Sequence, residues 1–430
     1  MRTARHIVSS GLSFAFLFSA SPVLAQGARN CGDFTVAIIP DTQNYVDFRH
    51  QKSSGFAFDA AEQYYEQMRW IAQHSKSQGG DIVFATQVGD VWQHYSKWMD
   101  PGHAARGFKW IPNGGSEVAI SPKAQVKTFE IPTAIFGFQL IAGKLPFSVV
   151  PGNHDYDALW TDPTHPPRPA EKTDGARHLG GLTNFQSAFS DQSEFFKDQP
   201  WYVASHDGGA DSAQIFTAGQ CRFLHIGLQY QAPNASLEWA AEVIKRFPGL
   251  PTIVSTHDYL DRDGKRNTGS NPEQNILDPL DNNPQMMWEK FISQHDQIFL
   301  VLSGHVGGQS FSVDTNRAGH KVWQMMADYQ GRGQTAVDAG ARREDVGDGW
   351  LRLLKFRIDG PAPSVEVQTY STHYGKFASE IPEYGAWYKA HDGQAKSSDA
   401  DYLKREEFTF ELSDFATRFG SSKDSAPQKK

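Results

Sequence analysis

The stretch 149–155, Val-Val-Pro-Gly-Asn-His-Asp, constrains the fold of this chain more than any other. An apolar β-branched run enters a Pro-Gly break and then delivers an amide, an imidazole and a carboxylate at successive positions. A strand that ends this way sets polar groups at the edge of a sheet, where open α/β folds place their chemistry. Four further apolar runs end alike: 34–40 on Asp41 and Gln43, 81–86 on Gly89-Asp90, 252–255 on His257, and 298–302 on Gly304-His305. Runs this continuously apolar are the pattern of strands covered on both faces.

The segments between them supply the covering. Over 59–77 the positions Ala61, Tyr64, Met68, Ile71 and Ala72 recur at helical spacing and Gly79-Gly80 follows as a stop. Helices are also predicted over 133–142, over 236–247 with Ser236 as cap, and over 284–295. Residues 201–204, 213–217 and 221–230 read as a local antiparallel patch. After His305 the rhythm changes to strands only, at 310–313, 321–326, 350–358 and 364–369. Because the α/β part and the β part share the ends His305 and Asp328, one domain with two sheets is expected. The irregular segments 94–131 and 156–183 read as insertions bordering the site.

At 430 residues the chain can bury a large core. Arg2 and Arg5 precede the short apolar run 11–18, and Val23 and Ala25 are the small residues of a cleavage site, so 1–25 is expected to be a secretory signal and the product periplasmic or secreted. No later run is long and apolar enough to span a bilayer. Losing the signal removes two arginines and no acid, taking the formal charge from −8 to −8 − 2 = −10. That acidity argues against nucleic acid as the main partner. Cys31 and Cys221 are the two cysteines, and a bridge or two buried thiols stand as equal alternatives. The polar, basic tail 421–430 is expected to be disordered. The oligomeric state leaves no signal.

Carboxylates, imidazoles and an amide at five strand ends form a donor set for hard to borderline divalent cations. One such residue is usually a cap or a turn former; five strand ends in order point to metal. These blocks, Asp41, Gly89-Asp90, Gly152-Asn153-His154-Asp155, His257 and Gly304-His305, resemble in order those of the calcineurin-like metallophosphoesterases. The resemblance implies a four-layer α-β-β-α sandwich of two mixed sheets flanked by helices over 30–375, with 376–420 as an extension packed on it. It implies one or two divalent ions (Mn, Fe or Zn). Asp90 would bridge, Asn153, His257 and His305 would hold the second ion, and Asp41 with Gln43 the first. His154 would face the phosphate of a small phosphoester, oriented by Asp155, and a metal-activated water would attack.

The pattern departs from the family twice, both times at the first ion. Gln43 stands where histidine is usual, and Gly307 ends the block that usually closes on histidine. His94 or water is a candidate to complete that ion, and a mononuclear hydrolase or a non-catalytic metal-binding protein is the alternative reading. Asp328-Tyr329-Gln330 and Asp348-Gly349-Trp350-Leu351-Arg352 resemble an exported branch of the family that shares the Asp-Thr-Gln start. His225 reads as a buried, satisfied histidine. Trp92, Trp98 and Trp110 read as loop anchors, with a stacking platform as the rival. Arg352 is open between a phosphate and an acid on the sheet.

Overall fold

The computed structural model describes residues 30–97, 102, 105, 125–162, 176–266 and 281–420. The expected signal peptide, the tail 421–430, and Trp98 and Trp110 lie outside the described residues. Among the described residues the fold is mixed α/β with two seven-stranded sheets. The first has the order β15 (Lys376–Phe377), β14 (Ser364–Ser371), β13 (Trp350–Arg357), β1 (Phe34–Ile39), β2 (Ile82–Gln87), β3 (Phe147–Val149), and β16 (Phe408–Glu411) also pairs with β14. The second runs β11 (Gly308–Thr315), β12 (Lys321–Asp328), β10 (Ile298–Ser303), β9 (Thr252–Ser255), β8 (Cys221–Gly227), β7 (Asp211–Ala218), β6 (Tyr202–His206). A separate ribbon of β4 (Ala158–Asp162) and β5 (Ala176–Gly180) forms part of the second insertion.

Parallel pairing decides where the chemistry collects. β1, β2 and β3 are parallel in one sheet, and β8, β9, β10 and β12 in the other. The C-terminal ends of parallel neighbours lie along one edge. The loops that carry the candidate donors leave from those ends.

Among the described residues there are four apolar clusters: one joins Trp350 to Tyr384, Tyr388 and Tyr402, and the other three build the layers. One joins the sheets face to face, with Val36, Ile38 and Leu354 on one side and Phe223, Ile253, Leu300 and Met325 on the other. A second packs Tyr64, Met68 and Ile71 of the helix Ala60–Gln73, and Phe138 and Ile141 of the helix Ile131–Ile141, onto Ala37, Ala85 and Leu353. The third packs Leu237, Val243 and Ile244 of the helix Asn234–Arg246 onto Leu224, Val254 and Val301. Each fully buried side chain of this size contributes about 1.5–3 kcal/mol.

Several local expectations are corrected. The helix expected over 133–142 begins at Ile131, with Pro132 in its first turn and a π turn, Val126–Glu130, before it. Ser236 lies inside its helix, whose flanking residue is Pro233, and its hydroxyl accepts from Gln229 instead. The helix expected over 284–295 breaks after Lys290, where Phe291 leaves helical geometry (φ −134°), and only a single turn, Ile292–Gln294, follows.

The stretch 376–420 adds strands β15 and β16 to the first sheet and sends Phe415 and Phe419 into the inter-sheet core. Arg352 is buried there, its guanidinium donating to the Glu406 carbonyl at 2.9 Å and pairing with the Glu406 carboxylate at 3.6 Å. The phosphate-facing alternative for Arg352 is therefore excluded. Trp92 is likewise fully buried, against Phe185 and Phe189, and offers no stacking platform.

Cys31 and Cys221 are bridged across 190 residues. Constraining an unfolded chain over so long a loop is worth about 5 kcal/mol in the chain-entropy account.

His225 lies in the inter-sheet layer, fully buried, with Nδ1 on Gln214 at 2.8 Å and Nε2 on Ser255 at 2.8 Å. Burial pushes its pKa from 6.5 down to about 3. Between those values the unfolded chain takes up a proton that the folded chain refuses. The stabilisation is thus full above pH 6.5 and declines as the pH falls toward 3, by about 1.4 kcal/mol per unit. His225→Gln is expected to flatten the acid side of the stability profile, read as urea unfolding free energy between pH 6 and 4.5. An acid slope equal to that of the parent would contradict it.

Candidate metal centre

Asp90 follows β2 and Gly89, and His305 follows β10 and Gly304. Both adopt left-handed backbone, with φ of 55° and 72°. Non-glycine residues held there cost roughly 1–3 kcal/mol each and persist where the surroundings over-determine them. Here the neighbours do so. A Cβ on Gly152 would meet the Asp90 carboxylate at 2.2 Å, one on Gly304 would meet Asp41 at 2.1 Å, and one on Gly89 would meet the His257 ring at 2.3 Å. Each glycine before a donor leaves room for a different donor.

His257 is the focus. Its Nδ1 lies 2.9 Å from the Val88 carbonyl, which can only accept, so Nδ1 carries hydrogen and Nε2 faces inward. Around Nε2 stand Asn153 Oδ1 at 3.0 Å, His305 Nδ1 at 3.1 Å and Asp90 Oδ2 at 3.2 Å. These are the four residues expected at the second ion. Three lone-pair donors converge on one nitrogen, more than a single N–H can satisfy, and a cation is what such a set accepts. The donor atoms of Asp90, His257 and His305 all lie within 4.8 Å of one another.

The electrostatics carry the same message. Burial raises the Asp41 carboxyl well above its usual range, and Asp328 and Asp90 raise it further. Asp90 is held low despite burial, by His257 and His154. His257 rises to about 10 because Asp90 and Asp41 outweigh its desolvation, whereas burial and the neighbouring His257 charge push His305 down to about 3. Carboxylates this close to each other and this deep are stabilised by a positive ion.

Asp41 accepts the His305 backbone N–H at 3.1 Å. Gln43, at the start of the helix Gln43–Val46, donates its amide to Asp90 at 2.9 Å, and its Oε1 is buried without a hydrogen-bond partner among the described residues. Asp328 joins this group. Ser303 of β10 pairs with Met326 of β12 in parallel register, so continuing the ladder by two residues brings Asp328 level with His305. Its side chain is buried, and burial raises its pKa. Residue type alone, an acid at the end of a strand next to the His305 strand, was the available signal for this position.

His94 does not take the place suggested for it. Its ring sits on Glu130 at 2.6 Å, and His94, Glu130 and Asp47, which pairs with Arg49, form a separate buried group whose donor atoms lie within 4.8 Å of one another. Gly307 brings no side chain, and the Arg262 guanidinium lies about 3.5 Å from where one would begin, with Nε donating to the Gly307 carbonyl at 2.7 Å.

His154 lies beside the cluster. Its backbone N–H donates to Asp90 at 2.9 Å, and its Nδ1 donates to the Gln93 carbonyl at 2.7 Å, leaving Nε2 for a ligand. Asp155 does not orient that ring. Its carboxylate is taken up by the backbone amides of Val91, Trp92 and Gly152, which makes it a positioning residue for the Asp90 loop. A carboxylate next in sequence to histidine points away from it across the 3-10 turn Asn153–Asp155.

No family model matches this sequence. The uncharacterized protein YvnB of Bacillus subtilis is 22% identical over 235 residues, 53% of this chain. The chain spans 14% of the length of that relative. Among the described residues, no helix is long and apolar enough to cross a membrane.

Proposed function

We propose that the chain is an exported metal-dependent phosphohydrolase of the calcineurin-like metallophosphoesterase type, acting on a small phosphomonoester or phosphodiester. The observation that carries this reading is the convergence of Asp90, Asn153 and His305 on the inward nitrogen of His257. Helices packed on each sheet and an apolar core between the sheets support this reading, and the disulfide supports an oxidising compartment.

A bound divalent ion would supply charge neutralisation for the phosphate and an activated water. Asp90, Asn153, His257 and His305 would hold one ion; Asp41, Gln43 through Oε1, and Asp328 would face a second beside Asp90. His154 donates from Nε2 in its protonated form to a phosphoryl or leaving oxygen, and the Gln93 carbonyl fixes the ring for that task. The mononuclear reading draws on Gly307 and on Gln43, whose amide is already spent on Asp90.

The test is metal analysis of the purified protein beside hydrolysis of an aryl phosphate and its diester, with and without added manganese. His154→Asn is expected to keep its metal and lose about 10²–10⁴-fold in turnover. One ion per chain with full activity selects the mononuclear form. Full metal content without hydrolysis of either ester rejects the enzyme reading.

A further inference from the structure

Strand β11 forms one edge of the second sheet and starts three residues after His305. Beside it lies a cavity of about 400 Å³ whose wall includes Arg262, Ser310, Phe311, Lys404, Arg405 and Phe408. We infer that this cavity is a subsite for a second phosphoryl group on the substrate of the neighbouring metal centre. The assignment deepens the phosphohydrolase reading and rests on it for the word substrate.

Charge is the first argument. Asp263 is the acid in the wall, and it stands 3.7 Å from Lys265, while Lys404 pairs with Asp401 outside the cavity at 2.9 Å. Arg405 forms no side-chain ion pair among the described residues, and Arg262 uses only Nε, on the Gly307 carbonyl. Arg262, Lys404 and Arg405 thus line one cavity with a single acid, Asp263, in a chain whose formal charge is −8. A planar guanidinium fork matches a phosphoryl group in a bidentate manner.

Polarity and shape agree. Ser310 is 7% exposed and its hydroxyl has no hydrogen-bond partner among the described residues. Phe311 and Phe408 meet edge to face at 5.0 Å and give the organic part of a ligand an apolar seat.

Arg262 joins the two places. It stands where the resemblance expects a histidine on residue 307, and it lines the cavity at the same time. Five residue steps lead from His305 to Ser310, at most about 17 Å of extended chain. A ligand with two phosphoryl groups separated by roughly that span or less would reach both.

The probes are inorganic phosphate, malonate, and the pair hexanediol bisphosphate and hexyl phosphate, on the full purified chain. Calorimetric phosphate binding should survive Asp90→Asn, which weakens the metal centre, and should fall at least tenfold in Arg262→Gln and in Arg405→Gln. Arg405→Gln keeps the Gly307 contact intact, so its loss cannot be a displaced metal loop. The parent is expected to show a KM for the bisphosphate at least tenfold below that for hexyl phosphate, and Arg405→Gln should shrink that ratio. Phosphate binding untouched by either arginine change overturns the inference, as does a site that takes malonate and refuses phosphate. Absence of hydrolysis with arginine-dependent phosphate binding would reject the enzyme reading alone and leave the anion site standing.

Discussion

Asp90→Asn is expected to strip the protein of metal and of phosphoester hydrolysis while leaving its fold in place. The two oxygens of Asp90 divide their work, one accepting the His154 backbone N–H and the other facing Gln43 and the inward nitrogen of His257. An amide of the same shape keeps one acceptor and brings an N–H into a cluster of lone pairs. Losing a mere orienting partner of a metal ligand costs about 10–100-fold in affinity or activity. A ligand that faces both donor groups should cost more than that. Metal content after dialysis is the decisive readout, with far-UV circular dichroism as the check on folding. A variant that retains metal with parental affinity would remove Asp90 from the centre.

The second large effect is on stability. Arg332→Met is expected to cost about 3–5 kcal/mol, because it leaves buried Asp392 without its counter-charge and Glu406 with Arg352 alone. Arg332 is 1% exposed; it pairs with Asp392 at 2.5 Å and with Glu406 at 2.9 Å, and donates to the Tyr384 hydroxyl at 2.7 Å. Tyr402 also closes on Asp392, and Tyr329 and Thr369 on Glu406. Both acids belong to the stretch 376–420, so the arginine ties that stretch to the loop after Asp328. Urea unfolding should register the loss. A midpoint and slope equal to those of the parent would show that the extension is held by its apolar contacts alone. Charge reversal of Asp392 and Arg332 together would not restore the parent, since Gln309 and the tyrosine hydroxyls are arranged for a donor at position 332.

Much of the centre was legible because parallel strands broadcast their ends. An apolar run that stops on Gly-Asp, Gly-Asn-His or Gly-His states both the strand and the donor, and β1, β2, β3, β9 and β10 fall where those runs are. The role of Asp155 was not legible, since adjacency in sequence says nothing of direction across a turn. Asp328 was visible as a strand end, but its level with His305 depends on the pairing of β12 beside β10, which no local pattern encodes. The approach of the Arg262 guanidinium to Gly307 was equally hidden, because 45 residues separate the two. Breaks such as Phe291 and the π turn before Ile131 arise from packing that overrides a helical period.

The Cys31–Cys221 bond has a consequence beyond stability. It makes a covalent ring of the chain from 31 to 221, and both insertions lie inside it. Asp41, Asp90, Asn153 and His154 are within the ring as well, while His257, His305 and Asp328 lie beyond its closure. A single peptide cut in either insertion would therefore leave one molecule in two covalently linked pieces, with every donor still attached. Such a chain can be nicked and yet keep its parts together for as long as its surroundings stay oxidising.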